Sequence, residues 1–236
     1  MTVTAGIIAA GEGSRLAQDG AGVIKPLVLV AGRPLSHWVV DGLSHAGAQA
    51  ITVLTNSRGG AVAPSLVSAF PHLHFDFITA DTASSFESFR LVGSHLTAQA
   101  DDCLISTTDA LIRPNEVATF MRACRASKTD AGLALTNFID DEKPLWVDTD
   151  AKGQVTAIGD DCKLRRTATC GLYYLTRAAA QRLPAAKTHQ RLRDYWISLI
   201  TSGTPITGVV LSKTIDVDRP QDLAAAELFL NTEMRR

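Results

Sequence analysis

The stretch GIIAAGEGSRLAQDGAGVIKPL, residues 6–27, joins an apolar run to a glycine-rich loop that carries an arginine and a lysine. The apolar run predicts a strand, and the loop leaves that strand at its carboxyl end, the edge of an open α/β sheet where ligands bind. Gly11 and Gly13 have no Cβ, so the backbone can turn sharply there and bring several N–H groups close to an anion. Arg15 and Lys25 add fixed positive charge. The loop is therefore predicted to be a phosphate-binding cradle.

Two familiar phosphate-binding motifs do not fit this loop. The dinucleotide fingerprint needs a third glycine three positions after the second, and Leu16 stands there instead. The P-loop needs a Gly-Lys-Ser/Thr tripeptide at the start of a helix, and the sequence contains no such tripeptide. The loop therefore follows a third pattern.

Outward from this loop, short apolar runs alternate with longer amphipathic stretches, which indicates strands and helices that build a mainly parallel sheet. Strands are predicted at residues 4–10, 50–55, 74–79, 102–107 and 131–136. Helices are predicted at residues 34–46, 61–70, 84–96 and 114–127.

After residue 136 the rhythm changes to strands joined by turns, which predicts a small antiparallel insertion forming one wall of a cleft. These strands are predicted at residues 143–148, 154–158 and 169–175. The alternation then resumes with a helix at 191–202, a strand at 206–211 and a helix at 220–231. No repeat, low-complexity tract or Pro-rich linker marks a boundary, so residues 1–236 are predicted to form one domain.

Composition argues against several classes of partner. The formal net charge is −1 and no basic run occurs, which argues against binding to nucleic acid or to an anionic membrane surface. The first residues, MTVTAGIIAA, carry no basic group, and no apolar segment approaches the roughly 20 residues needed to cross a bilayer, so a cytoplasmic location is predicted. The four cysteines lack CxxC spacing, and we expect them to be buried free thiols.

AAGEGSRL, residues 9–16, followed by KPLVLVAGRPL, residues 25–35, resembles the signature of the nucleotidyltransferases typified by sugar-1-phosphate nucleotidylyltransferases. Their pattern is roughly AAGxGxR(L/M), a variable spacer and KP. STTDALI at 106–112 and TIDVDRPQDLAAAE at 214–227 are similar to the strand-ending aspartate, closing aspartate and terminal helix of that family. The resemblance implies a Rossmann-like three-layer α/β/α sandwich of the GT-A type and bound Mg²⁺.

The resemblance also implies roles for the residues of the glycine loop. Arg15 is expected to offset charge on departing pyrophosphate, and Lys25 to stabilise the α-phosphate during attack, which makes these two the candidate catalytic residues. The expected triphosphate-binding positions in the loop are Ala10, Gly11, Gly13 and Ser14.

Two aspartates at the ends of predicted strands are the candidate metal ligands. Asp109 and Asp216 lie where strands end, and Mg²⁺ binds through one or two carboxylates together with phosphate oxygens. Asp218 lies two residues further along, on the same strand face as Asp216. The resemblance assigns the metal to Asp216 and leaves Asp218 to support the turn into the last helix.

Recognition of the base is predicted in TADTASSFESF, residues 79–89. Thr82 matches a threonine-alanine pair of the family, and Ser85 resembles the serines of its cytidylyltransferase-like members. The alternative is that these hydroxyls only cap the following helix.

The acceptor side rests on two weaker matches. Lys163, in GDDCKLRR, stands in the place of a Glu-Lys-Pro element and is a candidate for binding the acceptor phosphate; a solvated charge cluster is the alternative. Gly171, in TCGLYYL, is similar to the glycine of a strand along the acceptor pocket and would permit close approach.

The leading functional prediction is transfer of an NMP group from an NTP to a sugar-1-phosphate or similar phosphorylated small molecule, with release of pyrophosphate. The alternatives are a CTP-dependent cytidylyltransferase for a phosphorylated alcohol or amine such as phosphocholine, and a non-catalytic nucleotide-sensing domain. The sequence indicates neither the base nor the oligomeric state.

Overall fold

A computed structural model describes residues 3–11, 13–16, 23–96, 101–139 and 144–231. The strands within these residues are β1 Val3–Ala9, β2 Leu29–Val30, β3 Arg33–Pro34, β4 Ala48–Thr55, β5 His74–Thr79, β6 Asp102–Thr107, β7 Ala110–Leu111, β8 Ala131–Thr136, β9 Trp146–Thr149, β10 Val155–Ile158, β11 Thr167–Thr176, β12 Ile206–Leu211 and β13 Ile215–Asp216. The α-helices are α1 Leu35–His45, α2 Val62–Ala69, α3 Ser85–Leu96, α4 Pro114–Ser127, α5 Arg177–Gln181, α6 Leu192–Thr201 and α7 Pro220–Asn231.

The central sheet has nine strands, in the order β10-β9-β11-β6-β1-β4-β5, with β8 paired to both β11 and β12. The pairs β6-β1, β1-β4, β4-β5 and β8-β12 are parallel. β11 is antiparallel to β6, β8 and β9, and β10 is antiparallel to β9. Within this sheet β10 and β11 therefore run against the other strands, which confirms a mainly parallel sheet with an antiparallel part on one side.

Alternate residues of the central strands face opposite sides of the sheet. In β1, Ile7 belongs to an apolar cluster with α1, α2 and α4, whereas Ile8 packs against a second cluster with α3 and α6. In β6, Leu104 and Ile105 divide between the two clusters in the same way. Because both faces are covered, these strands read as apolar runs rather than alternating ones. The three-layer α/β/α architecture is confirmed.

A third apolar cluster lies beside the carboxyl edge of the sheet and ties distant segments together. Leu16 of the glycine loop packs there with Leu111 of β7, Ile215 of β13 and Phe229 of α7. Helix α7 is thus packed against the start of the glycine loop that the sequence predicts to bind phosphate.

Two further sequence predictions concern the thiols and the membrane. All four cysteines are free and buried, as expected. Among the helices of the described residues, none has the length and apolar character to cross a bilayer.

Candidate active site

The glycine loop begins where β1 ends, and its two described glycines differ in their surroundings. Gly13 has φ +64°, and a Cβ on it would lie 3.1 Å from Lys25 Cβ, so the loop depends on glycine there to fold against the lysine. A Cβ on Gly11 would meet no atom within 4 Å. The backbone at Gly11 therefore borders open space, as a ligand-facing segment requires.

The side chain of Lys25 lies between two carboxylates. Its Nζ donates to Asp109 Oδ2 at 2.8 Å and also contacts Asp218 Oδ1, and the side chain is 8 % exposed. Burial lowers the pKa of Lys25, but Asp109 and Asp218 raise it, and the pKa lies above its ordinary value. Burial raises the pKa of Asp109, but Lys25 and the Thr107 hydroxyl lower it, and the pKa lies below its ordinary value. Both groups are therefore charged at neutral pH.

A short antiparallel ladder brings the two candidate metal ligands together. β13 pairs with β7 so that Asp216 lies opposite Ala110, and the Val217 N–H donates to the Asp109 carbonyl at 3.0 Å. Asp109 and Asp216 are far apart in sequence, and this pairing makes them neighbours at the carboxyl edge of the sheet. Asp216 is exposed there, and the side chain of Asp109 is 30 % exposed.

Strand alternation turns two acidic side chains toward the cleft. Ile215 and Val217 are buried in the third apolar cluster, so Asp216 and Asp218 face the other way. Asp218 Oδ2 lies 3.7 Å from Arg15 Nη1. The structure thus gathers Arg15, Lys25, Asp109 and Asp216 at one edge, with Asp218 among them.

The prediction that Asp218 supports the turn into α7 is wrong for its side chain. That turn is held by Asp222, whose Oδ2 accepts hydrogen bonds from the backbone N–H groups of Asp218 at 2.9 Å and Arg219 at 2.7 Å. The carboxylate of Asp218 is left to contact Lys25 and Arg15. Sequence alternation placed both aspartates on one face but carried no information about a lysine at the other end of the chain.

A pocket beside the glycine loop includes two polar residues that the sequence analysis missed. Gly11 and Lys25 line it on one side, and Asn56 and Arg58, in the loop after β4, line it on the other. Asn56 Nδ2 donates to the Ala10 carbonyl at 3.1 Å, and this hydrogen bond links the loop after β4 to the glycine loop after β1. The available signal was the polar, glycine-rich stretch TNSRGG directly after an apolar strand that ends at the same sheet edge.

A second pocket extends from the acidic residues toward the antiparallel part of the sheet. Asp216, Asp218 and Arg219 line one side of it, and Phe138 and Thr169 line the other. The cleft therefore continues from the charged centre toward β11, the side on which the sequence predicts an acceptor.

Gly171 allows a close approach, but to the segment between β6 and β7 that carries Asp109. It has φ +77°, and a Cβ on it would lie 2.4 Å from Thr107 Oγ1 and 3.0 Å from Ala110 Cβ. The pairing of β11 with β8 shifts register between Thr169 and Tyr173 around this glycine. Gly171 thereby helps to place the segment on either side of Asp109.

Each predicted base-recognition hydroxyl has a partner within the protein. Thr82 Oγ1 lies 2.6 Å from Ser88 Oγ, and Ser85 Oγ accepts from the Leu192 N–H at the start of α6 at 3.0 Å. Ser84 caps α3 by accepting from the Glu87 N–H at 3.1 Å. These contacts favour the capping alternative for Ser84, while a base-binding role for Thr82 and Ser85 stays a prediction.

The loop that carries Lys163 is built around a carboxylate from β9. Asp148 accepts backbone N–H bonds from Lys163 at 2.6 Å, Leu164 at 2.9 Å and Arg165 at 3.1 Å. The side chain of Lys163 is exposed. Its role as an acceptor ligand stays a prediction.

The donor set at the edge of the sheet fits Mg²⁺. Asp109 and Asp216 offer oxygen ligands alone, which a small hard cation prefers, and leave the remaining positions to phosphate oxygens and water. Within the described part of the chain, no three or more His, Cys, Asp or Glu side chains are grouped so that they could hold a metal by themselves.

Comparisons with known proteins agree with the geometry. The family model described as "MobA-like NTP transferase domain" matches residues 5–195. A comparison with curated proteins finds no match to the sequence.

Solved structures with the same fold cover nearly the whole chain. The inositol-1-phosphate CTP transferase from T. maritima has a TM-score of 0.79 at 16 % identity, over 96 % of this chain and 94 % of that one. A putative glucose-1-phosphate thymidylyltransferase from Bacillus anthracis has a TM-score of 0.80 at 17 % identity, over 97 % and 95 %. HddC from Yersinia pseudotuberculosis, complexed with GMP-PN, has a TM-score of 0.75 at 19 % identity, over 98 % and 100 %.

Proposed function

Because the chain belongs to the MobA-like NTP transferase family, we propose that it transfers an NMP group from an NTP to a phosphorylated small molecule. The acceptor is a sugar-1-phosphate or a similar phosphate ester. An acceptor phosphate oxygen forms a bond to the α-phosphorus, the bond between that phosphorus and the bridging oxygen to the β-phosphate breaks, and pyrophosphate leaves with the electron pair. Little covalent chemistry is required of the protein, so positioning and charge neutralisation carry the rate.

The backbone N–H groups and the two cations of the glycine loop contact different parts of the triphosphate in this proposal. Backbone N–H groups of the glycine loop, at Gly11 and Gly13, bind the triphosphate. Lys25 is held charged at the end of β6 and stabilises the α-phosphate as it is attacked. Arg15, with a side chain 70 % exposed, is free to turn toward the departing pyrophosphate.

Asp109 and Asp216 would hold Mg²⁺, which neutralises phosphate charge when it is bound. Independently of the metal, Asp109 orients the Lys25 ammonium through the hydrogen bond of 2.8 Å. The carboxylates and the lysine therefore act as one unit at the end of β6 and β13.

The single observation that carries this proposal is the contact between Lys25 and Asp109, residues 84 positions apart. It joins the KP element of the glycine loop to the strand-ending aspartate, and the β13 ladder adds Asp216 beside them. Two structural neighbours are an inositol-1-phosphate CTP transferase and a putative glucose-1-phosphate thymidylyltransferase, and their phosphorylated acceptors support a phosphorylated acceptor here.

The same proposal includes the extent of the domain and the cellular location of the protein. Residues 1–236 are proposed to act as one domain, because β12 pairs with β8 and the cluster beside β13 joins α7 to the glycine loop. A cytoplasmic location is proposed from the sequence, along with a nucleoside triphosphate and a small phosphorylated acceptor as the partners.

The reverse reaction gives the test. The protein is incubated with Mg²⁺, labelled pyrophosphate and a panel of nucleoside diphosphate conjugates. The triphosphate that becomes labelled identifies the base, and the conjugate that supports labelling identifies the acceptor class. We expect label to enter one triphosphate, and Asp109→Asn to abolish most of that incorporation. Folded protein that labels no triphosphate with any conjugate would favour the nucleotide-sensing alternative.

A further inference from the structure

Strand β5 is an open edge of the central sheet. Among the described strands it pairs with β4 alone, in parallel, so its other side is an unpaired edge of the described chain. Proteins usually protect such an edge from further pairing with a bulge, a proline or a lysine. The sequence of β5, HFDFIT at residues 74–79, contains neither proline nor lysine, and its register with β4 runs without a bulge. The edge is therefore suited to pair with another strand.

One face of β5 carries aromatic side chains that the described chain covers only in part. Phe75 is partly buried against the apolar cluster that includes α2, and Phe77 is 38 % exposed. The two rings stack with 5.9 Å between their centroids. Val67, on the helix that precedes β5, is 51 % exposed. Removal of this apolar surface from water would favour a contact at the edge.

The opposite face of β5 carries a histidine and an aspartate two residues apart. His74 Nε2 lies 3.5 Å from Asp76 Oδ1, and the histidine side chain is 70 % exposed. When two identical strands pair in antiparallel fashion, their two-fold axis is perpendicular to the sheet and passes between one residue and its own copy. With Phe75 at that axis, His74 of each copy lies opposite Asp76 of the other. With Asp76 at the axis, two carboxylates would lie opposite each other, which is unfavourable.

We propose that two copies of this chain associate by antiparallel pairing of β5 across a two-fold axis at Phe75, which joins their central sheets into one. The contact provides backbone hydrogen bonds, a pair of Phe75 rings and two symmetrical contacts between His74 and Asp76. The paired segment is short, and small interfaces are typically weak, so we expect a dimer dissociation constant of about 10–100 µM. The candidate active site lies on β1, β6 and β13, so this inference does not depend on the proposed function.

Sedimentation velocity of the native chain up to about 500 µM measures the association. His74→Asp places two carboxylates opposite each other at two symmetrical positions and should raise the dimer Kd at least about tenfold. The double variant His74→Asp/Asp76→Lys restores opposite charges across the axis and should return the Kd to within about threefold of the native value. Lys152→Glu reverses an exposed charge in the turn between β9 and β10, at the other end of the sheet, and should leave the Kd unchanged.

Cysteine crosslinking tests the register of the pairing. Phe75→Cys places a thiol opposite its own copy at the axis, and mild air oxidation should link two chains through a disulfide. Phe77→Cys is the matched control, because its two copies would lie four residues apart along the ladder, about 13 Å, which is too far for a disulfide. The four native cysteines are buried and should contribute little background. Melting temperatures establish that every variant is folded.

A concentration-dependent dimer that His74→Asp weakens, the double variant restores and Phe75→Cys crosslinks supports the proposal. A native chain that stays monomeric at the highest concentration overturns it. A dimer that His74→Asp leaves unchanged, or one that Phe77→Cys crosslinks as well as Phe75→Cys does, shows association through another surface or register and also overturns it. Nucleotidyl transfer by the native protein is a separate measurement that none of these outcomes affects.

Discussion

Replacing Asp148 by asparagine is expected to destabilise the protein by about 2–4 kcal/mol, because the carboxylate is the acceptor around which the loop before β11 is folded. Asp148 is 7 % exposed, and both of its oxygens are used: Oδ2 accepts from Lys163 and Leu164, and Oδ1 accepts from Arg165. Asparagine offers one acceptor oxygen, so its NH2 group must face at least one backbone N–H. The variant loses one charge-assisted bond outright and weakens the others.

Asp150→Asn is the matched control for this prediction. Asp150 also accepts two backbone N–H bonds, from Lys152 at 2.8 Å and Gln154 at 2.9 Å, but both go to Oδ1 and the site is exposed. The oxygen of asparagine can accept both, so the cost should stay under about 1 kcal/mol. The two variants make the same chemical change two residues apart and differ in the number of carboxylate oxygens that are used.

The pH dependence of the Asp148 effect has a definite sign. Burial raises the pKa of Asp148, but the N–H groups of Leu164, Lys163 and Arg165 and the Arg165 charge lower it, and the pKa lies below its ordinary value of 3.8. A carboxylate with a lowered folded pKa contributes stability above its unfolded pKa and loses it as pH falls through the folded pKa. The free-energy difference between the native protein and Asp148→Asn should therefore be full at pH 7 and shrink below about pH 4.

Urea unfolding followed by far-UV circular dichroism measures both quantities. A difference under about 1 kcal/mol at neutral pH, or equal to that of Asp150→Asn, would refute the claim that the carboxylate organises the loop. A difference that stays constant down to pH 3 would refute the electrostatic part of it.

Three other predictions address the site and the core. Asp109→Asn should lower kcat at least about 100-fold while the melting temperature falls little, since Asp218 still pairs Lys25; a variant that unfolds at low temperature would mean that Asp109 is structural. Gly171→Ala should lower the unfolding free energy by about 2–4 kcal/mol, because its Cβ would lie 2.4 Å from Thr107 Oγ1 at a φ of +77°; unchanged urea unfolding would contradict the close packing there. A thiol-reactive disulfide reagent should react slowly with the native protein, because the four thiols are buried and burial raises the pKa of Cys103 to about 11. In urea the same reagent should react with all four cysteines. Rapid reaction with the native protein would show an exposed thiol.

Most strands and helices follow from the sequence because each is long enough to show a period. α4 has the predicted bounds 114–127, with proline in its first turn, and β5 and β6 also begin and end as predicted. The two-residue strands β7 and β13 show no period at all, yet their pairing places Asp109 beside Asp216. Their existence depends on tertiary contacts that a local pattern does not encode.

The candidate site shows the same division between local and distant information. The glycine loop and the strand-ending aspartates were found from motifs, and the structure brings Arg15, Lys25, Asp109 and Asp216 to one edge, although their catalytic and metal-binding roles stay predictions. The contact of Asn56 with the Ala10 carbonyl and the orientation of Asp218 toward Lys25 were missed. Each of these depends on which distant backbone lies nearby, which spacing along the chain does not reveal.

The packing of α7 against the glycine loop determines where the protein can be truncated for expression. A fragment that stops at residue 195, where the family match ends, would lack β12, β13 and α7. It would therefore lose Asp216 and Asp218, and also Ile215 and Phe229, which pack with Leu16. Such a fragment would retain the N-terminal motif but only Asp109 of the three aspartates at that edge of the sheet, and inactivity of that product would say nothing about the native enzyme.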